Sequence, residues 1–325
     1  MLAFGECLLD LFPDTRGGYT GVRSFAVWPG GAPSNVAYGV AAAGHEVTFL
    51  GKVGPDWLGE AVLSRMAEAG IDTQYMTQAQ ATPTGVTFVR VEHDGERSFF
   101  PYRHLAADKE ITPKDIPEAP FKGARVVHLG ANCMALEPSW DATGRVVELA
   151  MAQGCVISFD PNLRPHYHLK SPKVMDRVRE LAAEAHIVKM NREEASALYG
   201  GPEGAREALF AGPTALLVVT RDRDGAEWWT CDGRAGAHPG FPCEAVDATG
   251  AGDAFMAGLL AVLLEAELGT DTAAGPDAIQ DLPTQRLERA VEIGNLFGAS
   301  CVAVYGATAS WPETSLWSQR GGGSR

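Results

Sequence analysis

Long apolar stretches are missing from this sequence, in which no run approaches the roughly eighteen apolar residues of a membrane-spanning helix. Its start also lacks the basic stretch and the cleavage site of a secretory signal, because the strand-like run Leu2-Ala3-Phe4 begins at once. We therefore expect a protein that is neither secreted nor inserted in a membrane.

Positive charge is scarce as well. The chain has 27 Lys and Arg residues against 41 Asp and Glu residues, which gives a net charge of −14. This balance argues against nucleic acid or an anionic membrane as the main partner, although a local basic pocket for a phosphate stays open.

Paired cysteines are the third absence. No C-x-x-C pair occurs, and five of the six cysteines adjoin apolar stretches, which predicts buried free thiols and a reducing cytoplasmic location. The six are Cys7, Cys133, Cys155, Cys231, Cys243 and Cys301.

The length and composition fit a globular protein. With 325 residues, 46% of them hydrophobic, the chain can bury a large core. The length suits one large domain or two small ones, and no repeat of solenoid period is present. Because residues 267–285 do not look like a domain boundary, we expect one domain over residues 1–319. The glycine-rich tail 320–325 has no apolar periodicity and is predicted to be disordered.

Beyond about residue 120, short β-rich apolar runs alternate with amphipathic stretches, which predicts a doubly wound α/β fold with a mainly parallel sheet flanked by helices. The predicted strands are 125–130, 155–160, 186–190 and 215–220. The predicted helices are 138–153, 172–185, 250–266 and 286–304. Residues 267–285 are predicted to be a surface loop between two helices.

The first hundred residues have a different pattern. Gly21–Trp28, 85–91 and 96–102 are predicted antiparallel strands, the last two joined at His93-Asp94-Gly95. We expect a small antiparallel β lid built from residues 12–29 and 85–103.

The segment Asp247–Asp253 carries the clearest chemical pattern. Its Gly250-Ala251-Gly252 precedes the apolar helical run 254–264, which places unpaired backbone N–H groups and the positive end of a helix dipole at one point. This predicts an anion cradle for a phosphate. Asp253, in the first helical turn, would accept the proton of an attacking hydroxyl.

A purely structural interpretation is also open, in which Asp247 and Asp253 cap a glycine-rich turn. The tetrapeptide Asp-Ala-Thr-Gly recurs at Asp141–Gly144, where no Gly-Asp completes the loop and an ordinary helix is predicted. The function is therefore indicated by the full seven-residue string.

Two motifs resemble those of a known family. Asp247–Asp253 followed by Ala254-Phe255 resembles the C-terminal signature of the ribokinase-like (PfkB-type) carbohydrate kinases. Gly30-Gly31-Ala32-Pro33-Ser34-Asn35-Val36-Ala37 resembles the family's N-terminal glycine motif, which lines the sugar pocket, although alone it would be a helix N-terminus. The pattern G-x-x-x-x-G-K-[ST] of another large class of ATP sites is absent.

Several residues lie at or just after strand ends, where nucleotides bind in open α/β sheets. They are Lys189, Thr220 and Gly225. Asn191 and Glu194 look like the family's Asn-x-x-Glu element, which organises Mg²⁺ around the ATP phosphates, usually through water. A capping box is the alternative, and both can hold together. The resemblance also implies Asn295 near the adenine.

For the sugar pocket, the resemblance implies residues from three parts of the chain. They are Asp10, Gly30, Gly31, Asn35, Phe100, Tyr102, Arg103 and Arg164. Phe100 and Tyr102 alternate along a strand and are predicted to give the sugar ring an apolar face. Arg164 ends the string Asp160-Pro-Asn-Leu-Arg164, shared by the fructokinase and 2-keto-3-deoxygluconate kinase branches, but it could also be an arginine in a proline-bounded turn.

The resemblance implies transfer of the ATP γ-phosphoryl group to a primary sugar hydroxyl. Fructose is the favoured substrate, because Tyr102-Arg103-x-x-x-Ala107-Asp108 resembles a stretch of fructokinases. The alternatives are a 2-keto-3-deoxygluconate kinase and a non-catalytic sugar or nucleotide sensor. Asp247 and Thr249 match residues that, together with carbonyls of a later loop near residues 303–310, hold a potassium-like ion in the family. The resemblance also implies a homodimer through the lid.

Overall fold

The computed structural model describes residues 1–91, 97–132, 136–164, 169, 171–265, 277–304, 306–308 and 311–312. Its strands are β1 (Leu2–Phe4), β2 (Leu8–Pro13), β3 (Phe25–Gly30), β4 (Val47–Leu50), β5 (Lys52–Val53), β6 (Ile71–Asp72), β7 (Thr77–Gln78), β8 (Val86–Val91), β9 (Arg97–Tyr102), β10 (Val126–Gly130), β11 (Val156–Asp160), β12 (Ile187–Asn191), β13 (Leu216–Thr220), β14 (Ala226–Thr230) and β15 (Ala235–His238). Its helices are α1 (Ala32–Ala42), α2 (Trp57–Glu68), α3 (Glu137–Ala152), α4 (Pro172–Glu184), α5 (Arg192–Tyr199), α6 (Pro202–Leu209), α7 (Ala251–Glu265), α8 (Asp277–Gln280) and α9 (Thr284–Val302).

A large sheet runs through the described residues in the order β15-β14-β13-β12-β11-β10-β1-β4-β6. The strands from β13 to β6 pair in parallel, and β14 and β15 extend the edge antiparallel. The doubly wound α/β prediction is confirmed. Because parallel strands all end at one edge, the polar residues that follow β1, β10, β11, β12 and β13 meet there.

The hydrophobic core lies on both faces of this sheet. Ala3 faces a cluster formed with α1, α2, α7 and α9, while Leu2 and Phe4 face a second cluster formed with α3, α4, α5 and α6. This split follows from the two-residue alternation of side chains along a strand. Strands buried on both faces read as continuous apolar runs, which made β10 to β13 recognisable.

Helix α7 is buried on nearly all sides between α1 and α9. A Cβ built on Gly39 of α1 would lie 2.5 Å from Cβ of Ala257, and one built on Gly258 would lie 2.7 Å from the carbonyl oxygen of Ile293. The small residues let the three helices approach closely. This packing holds the first turn of α7 at the carboxyl edge of the sheet.

The small sheet has the order β3-β2-β8-β9. The pair β8–β9 is antiparallel, as predicted. Strand β2, which the sequence did not predict, pairs antiparallel with β3 and parallel with β8. Strand β3 starts at Phe25 rather than at Gly21, because residues 20 and 21 form a turn. The predicted connection at 93–95 lies outside the described residues.

Other predictions had mixed outcomes. Asp141–Gly144 lies inside α3, which confirms the ordinary helix. The predicted loop 267–285 is interrupted by α8, and its part up to residue 276 lies outside the described residues, as do Cys133 and the tail 320–325. Cys231 and Cys243 are exposed, which corrects the prediction of buried thiols, while the other three described cysteines are buried and free. No helix among the described residues is long and apolar enough to cross a membrane.

Candidate active site

The carboxylate of Asp253 lies at the centre of the site. It projects from the first turn of α7 and is almost completely buried. Nδ2 of Asn35 donates to its Oδ2 at 2.8 Å, and Nδ2 of Asn162 donates to its Oδ1 at 3.0 Å. Burial raises the pKa of Asp253 to about 7, with a further contribution from the carboxylate of Asp160. A carboxylate with this pKa can take a proton near neutral pH.

The glycines before α7 lie where the sequence predicts an anion cradle. Gly250 has φ +77°, and a Cβ built on it would lie 2.4 Å from Cβ of Ala307, so the turn requires glycine. Ala251 begins the helix. A Cβ on Gly252 would lie 2.7 Å from Nζ of Lys189, so a cation lies directly beside the cradle. Helix amides and an ammonium group are the kinds of group that bind a phosphate.

Lys189 is held in place by a buried ion pair. Its Nζ donates to Oδ2 of Asp160 at 2.9 Å, and both side chains are almost fully buried. Burial lowers the pKa of Lys189, but the carboxylates of Asp160 and Glu194 outweigh it, so the net shift is upward. The lysine therefore stays charged beside Gly252.

Asp247 links the segment before α7 to the loop that follows α9, which contains Gly306. Its Oδ1 accepts from the backbone N–H of Thr249 at 2.8 Å, and its Oδ2 accepts from that of Gly306 at 2.9 Å. The described residues contain no group of three or more His, Cys, Asp or Glu residues placed to hold a metal. Residues 305, 309 and 310 of the loop predicted to complete the potassium site lie outside the described part of the chain.

Asp10, which the sequence predicts to bind the sugar, lies in β2. A Cβ on Gly30 would lie 2.5 Å from Oδ2 of Asp10, so this glycine makes room for the carboxylate. Burial raises the pKa of Asp10 to about 7, against the opposing effects of Arg164, Thr87 and Arg103. Both guanidinium groups therefore lie close enough to Asp10 to lower its pKa.

Asn35 offers an acceptor to this pocket. Its Oδ1 is buried and has no hydrogen-bond partner within the described part of the chain, while its Nδ2 is engaged by Asp253. A buried acceptor without a donor is costly, and a hydroxyl of a bound sugar would satisfy it. Asn35 thus fits the predicted role.

Gly31, the N-cap residue before α1, has φ +103°, and a Cβ on it would lie 2.4 Å from the carbonyl oxygen of Glu6. The side chain of Glu6 caps the helix, since its Oε1 accepts from the backbone N–H of Ala32 at 3.1 Å and from Nδ2 of Asn132 at 2.7 Å. Gly31 therefore shapes the entrance to α1.

Arg103 forms a buried ion pair with Asp108. A Cβ on Gly85 would lie 3.3 Å from Cγ of Arg103, so the arginine packs against the end of the small sheet. Its guanidinium contributes to the electrostatic environment of Asp10, and Asp108 offsets its charge.

Phe100 and Tyr102 require a correction. Asp10 is in register with Thr87, and Thr87 with Pro101, so these three share one face of the small sheet. Phe100 and Tyr102 lie on the opposite face, 71% and 76% exposed. They do not line the pocket around Asp10, because each is the chain neighbour of Pro101 and neighbouring side chains along a strand point to opposite faces.

On the nucleotide side, Asn191 and Glu194 form the capping box of α5. The Asn191 side chain accepts from the backbone N–H of Glu194, and Oε2 of Glu194 accepts from that of Asn191, both at 2.8 Å. Oε1 of Glu194 accepts from the N–H of Leu163 at 2.7 Å. Burial raises the pKa of Glu194, and the carboxylate of Asp160 adds to this. Both carboxylate oxygens of Glu194 thus already accept backbone hydrogen bonds.

Gly225 and Asn295 converge on β15. Gly225 has φ +86°, and a Cβ on it would lie 2.0 Å from the carbonyl oxygen of His238. Nδ2 of Asn295, on α9, lies 3.1 Å from Nδ1 of His238. Thr220 is half-buried at the end of β13. Thr220 is in register with Asn191, two residues beyond Lys189 on the neighbouring strand β12.

The sequence-based prediction omitted Asp160, Asn162 and Glu6 from the site. Asp160 ends β11, and Asn162 follows it with φ +40°, in the left-handed region. A signal was present, because acidic and amide residues directly after a buried strand lie at the carboxyl edge where ligands bind. Of the string Asp160-Pro-Asn-Leu-Arg164, the sequence-based prediction assigned only Arg164 to the site.

Comparison with known proteins agrees with this geometry. The model of the pfkB family of carbohydrate kinases matches residues 1–314. The chain is 32% identical over 316 residues to fructokinase-1 of Oryza sativa subsp. japonica, covering 96% of this chain and 94% of the relative. It is 31% identical to the probable chloroplastic fructokinase-6 of Arabidopsis thaliana, covering 96% and 79%.

Solved structures give the same result. A fructokinase of Xylella fastidiosa with bound ATP has a TM-score of 0.88 and 30% identity, with 99% of each chain covered. A double-mutant fructokinase of Vibrio cholerae O395, bound to fructose, ADP and potassium ion, has a TM-score of 0.83 and 26% identity, covering 98% of this chain and 96% of that one. The fold and site are those of a sugar kinase. The chain belongs to the pfkB family of carbohydrate kinases.

Proposed function

We propose that this sugar kinase transfers the γ-phosphoryl group of ATP to the primary hydroxyl of fructose and forms fructose 6-phosphate, with Asp253 as the general base. The observation that carries the proposal is the buried Asp253 carboxylate beside both the glycine cradle and the unsatisfied Oδ1 of Asn35. The base, the phosphate site and a hydroxyl-binding group thus meet at one point.

The reaction is an in-line displacement. The sugar oxygen forms a bond to the γ-phosphorus, the bond from that phosphorus to the β-phosphate bridging oxygen breaks, and the hydroxyl proton passes to Asp253. The amides of Gly250, Ala251 and Gly252 and the ammonium of Lys189 stabilise the developing negative charge. Asp10, Asn35 and Arg164 hold the sugar.

ATP reaches the cradle from the side of Lys189, Thr220, Gly225 and Asn295. Asn191 and Glu194 would hold Mg²⁺ through water, and the ion would neutralise charge on the phosphates. Asp247 and the carbonyl of Thr249 would contribute to a monovalent-ion site beside the cradle. The potassium ion in the Vibrio cholerae structure supports that second site.

Fructose is favoured over 2-keto-3-deoxygluconate by the charge of the pocket. Asp10 and Asp253 both face the sugar, and the Arg103 guanidinium is offset by Asp108. A neutral polyol suits these carboxylates, whereas an acid substrate would meet like charge with Arg164 as its main counterion. The fructokinase names of the relatives point the same way.

The test is a coupled ADP-release assay with fructose, 2-keto-3-deoxygluconate, ribose and adenosine. We expect fructose to give the highest kcat/KM. A higher kcat/KM for 2-keto-3-deoxygluconate would instead assign the protein as a 2-keto-3-deoxygluconate kinase. Turnover of none of them would favour a sensor.

Asp253→Asn should lower kcat by about two orders of magnitude or more while ATP and sugar binding persist. Asp141→Asn is the matched control, because Asp141 is exposed in α3 and far from the chemistry. Near-normal turnover of the Asp253 variant would contradict the assignment of the base.

We also propose a homodimer through the small sheet. Its face opposite Asp10 carries an aromatic cluster in which Tyr19, Phe25, Phe88 and Tyr102 make contacts with ring centroids 5.7 to 6.5 Å apart. Phe100 lies beside them and is largely exposed. An exposed apolar patch of this kind marks an interaction surface.

The free cysteines support a reducing cytoplasmic location.

A further inference from the structure

We infer that Asn162 is a positioning residue that orients the Asp253 carboxylate toward the sugar hydroxyl. Nδ2 of Asn162 donates to Oδ1 of Asp253 at 3.0 Å, opposite the donation of Asn35 to Oδ2 at 2.8 Å. Two amide donors, one on each oxygen, fix the plane of the carboxylate. The inference rests on the proposed role of Asp253 as the base.

The backbone around Asn162 is built to hold that amide. Asn162 has φ +40°, a conformation that asparagine tolerates better than most residues. Its N–H donates to Oδ1 of Asp160 at 3.2 Å, while the other oxygen of Asp160 holds Lys189. The next N–H, of Leu163, donates to Glu194. One short segment therefore links the nucleotide side of the site to the base.

An amide donor also favours the ionised form of the base. A carboxylate that accepts a hydrogen bond loses part of its cost of burial, and this counteracts the factors that raise its pKa. The charged groups that surround Asp253 come from several elements. They are Asp10 of β2, Asp160 of β11, Arg164 after β11 and Lys189 of β12, with the thiol of Cys301 of α9 also nearby.

The test compares the pH dependence of fructose phosphorylation in the wild type, Asn162→Gly and Asn162→Asp. Glycine accepts the left-handed backbone and removes the amide, so the fold should persist. With the pKa of Asp253 at about 7, the wild-type acid limb of kcat/KM should lie near pH 7. Loss of one hydrogen bond to a charged group should move that limb up by about one pH unit.

Turnover of Asn162→Gly should therefore fall about fivefold at pH 7 and recover to within about twofold of the wild type at pH 9, with little change in the KM for fructose. Asn162→Asp keeps the side-chain shape but places a second carboxyl group against Asp253, so its limb should move further. Circular dichroism and thermal unfolding check that both variants are folded.

An unshifted acid limb in Asn162→Gly, with turnover either unchanged or lowered equally at every pH, would overturn the inference. Asp253→Asn is assayed in parallel. If that variant keeps its turnover, the base assignment itself fails; if it is inactive while Asn162→Gly matches the wild type, only the role of Asn162 fails.

Discussion

Replacement of Gly250 by alanine tests the geometry of the anion cradle. Gly250 has φ +77°, where a Cβ meets the backbone, and the new methyl carbon would also lie 2.4 Å from Cβ and 2.9 Å from Cα of Ala307. Ala307 cannot move alone, because the neighbouring N–H of Gly306 donates to Asp247 at 2.9 Å. The substitution must therefore strain the turn or displace the C-terminal loop.

The magnitude has two parts. The left-handed conformation costs a non-glycine residue about 1–2 kcal/mol, and overpacking against a fixed neighbour costs about 1–3 kcal/mol. We expect Gly250→Ala to lower the free energy of unfolding by about 2–5 kcal/mol. It should also lower kcat, since the amides of the cradle are displaced.

Gly144 provides the matched control. It is the last residue of the second Asp-Ala-Thr-Gly copy, it lies in α3, and a Cβ built on it meets nothing within 4 Å. Gly144→Ala should raise the free energy of unfolding by about 0.5–1 kcal/mol, because alanine favours the helix, and should leave kcat unchanged.

The assay is urea unfolding followed by tryptophan fluorescence. The dependence of the unfolding free energy on urea concentration is compared across the wild type and both variants. The reasoning would be refuted if Gly250→Ala and Gly144→Ala had the same free energy of unfolding within about 0.5 kcal/mol. That result would mean that neither the left-handed turn nor the contact with Ala307 constrains residue 250.

Two further predictions concern the small sheet. Arg103→Ala should raise the KM for fructose about tenfold or more. It should also lower the thermal stability, since Asp108 would be left buried without its counterion. An unchanged KM in a steady-state assay would show that Arg103 does not belong to the sugar pocket. Phe100→Glu should shift a dimer to monomer in analytical ultracentrifugation, because it places charge in the exposed aromatic face. A mass equal to that of the wild type would contradict the proposed dimer surface.

The parallel strands β10 to β13 could be predicted within a residue or two because burial on both faces leaves a continuous apolar run, as in Leu216–Thr220. The shorter parallel strands β4 and β6 were not predicted. The position of Asp253 could also be predicted, since glycines before an apolar helix locate the first turn. These features depend on neighbours in the chain, and local rules describe such neighbours well.

Face and register in the small sheet were harder to predict. Whether Phe100 or Phe99 faces Asp10 depends on how β9 pairs with β8 and how β8 pairs with β2, and a shift of one residue reverses the answer. Alternation alone correctly grouped Phe100 with Tyr102 but did not identify the face. The β2–β8 pair joins parts of the chain far apart in sequence, which no local pattern specifies.

The role of Asn162 likewise depends on contacts between distant parts of the chain, which local patterns do not specify. Asp253 is 218 residues from Asn35 and 91 residues from Asn162, so both of its donors arrive only when α1 and the end of β11 pack against α7. A base oriented in this way depends on the assembled core. Substitutions that loosen the packing of α7 should therefore lower kcat through the orientation of Asp253, even where no residue of the site is changed.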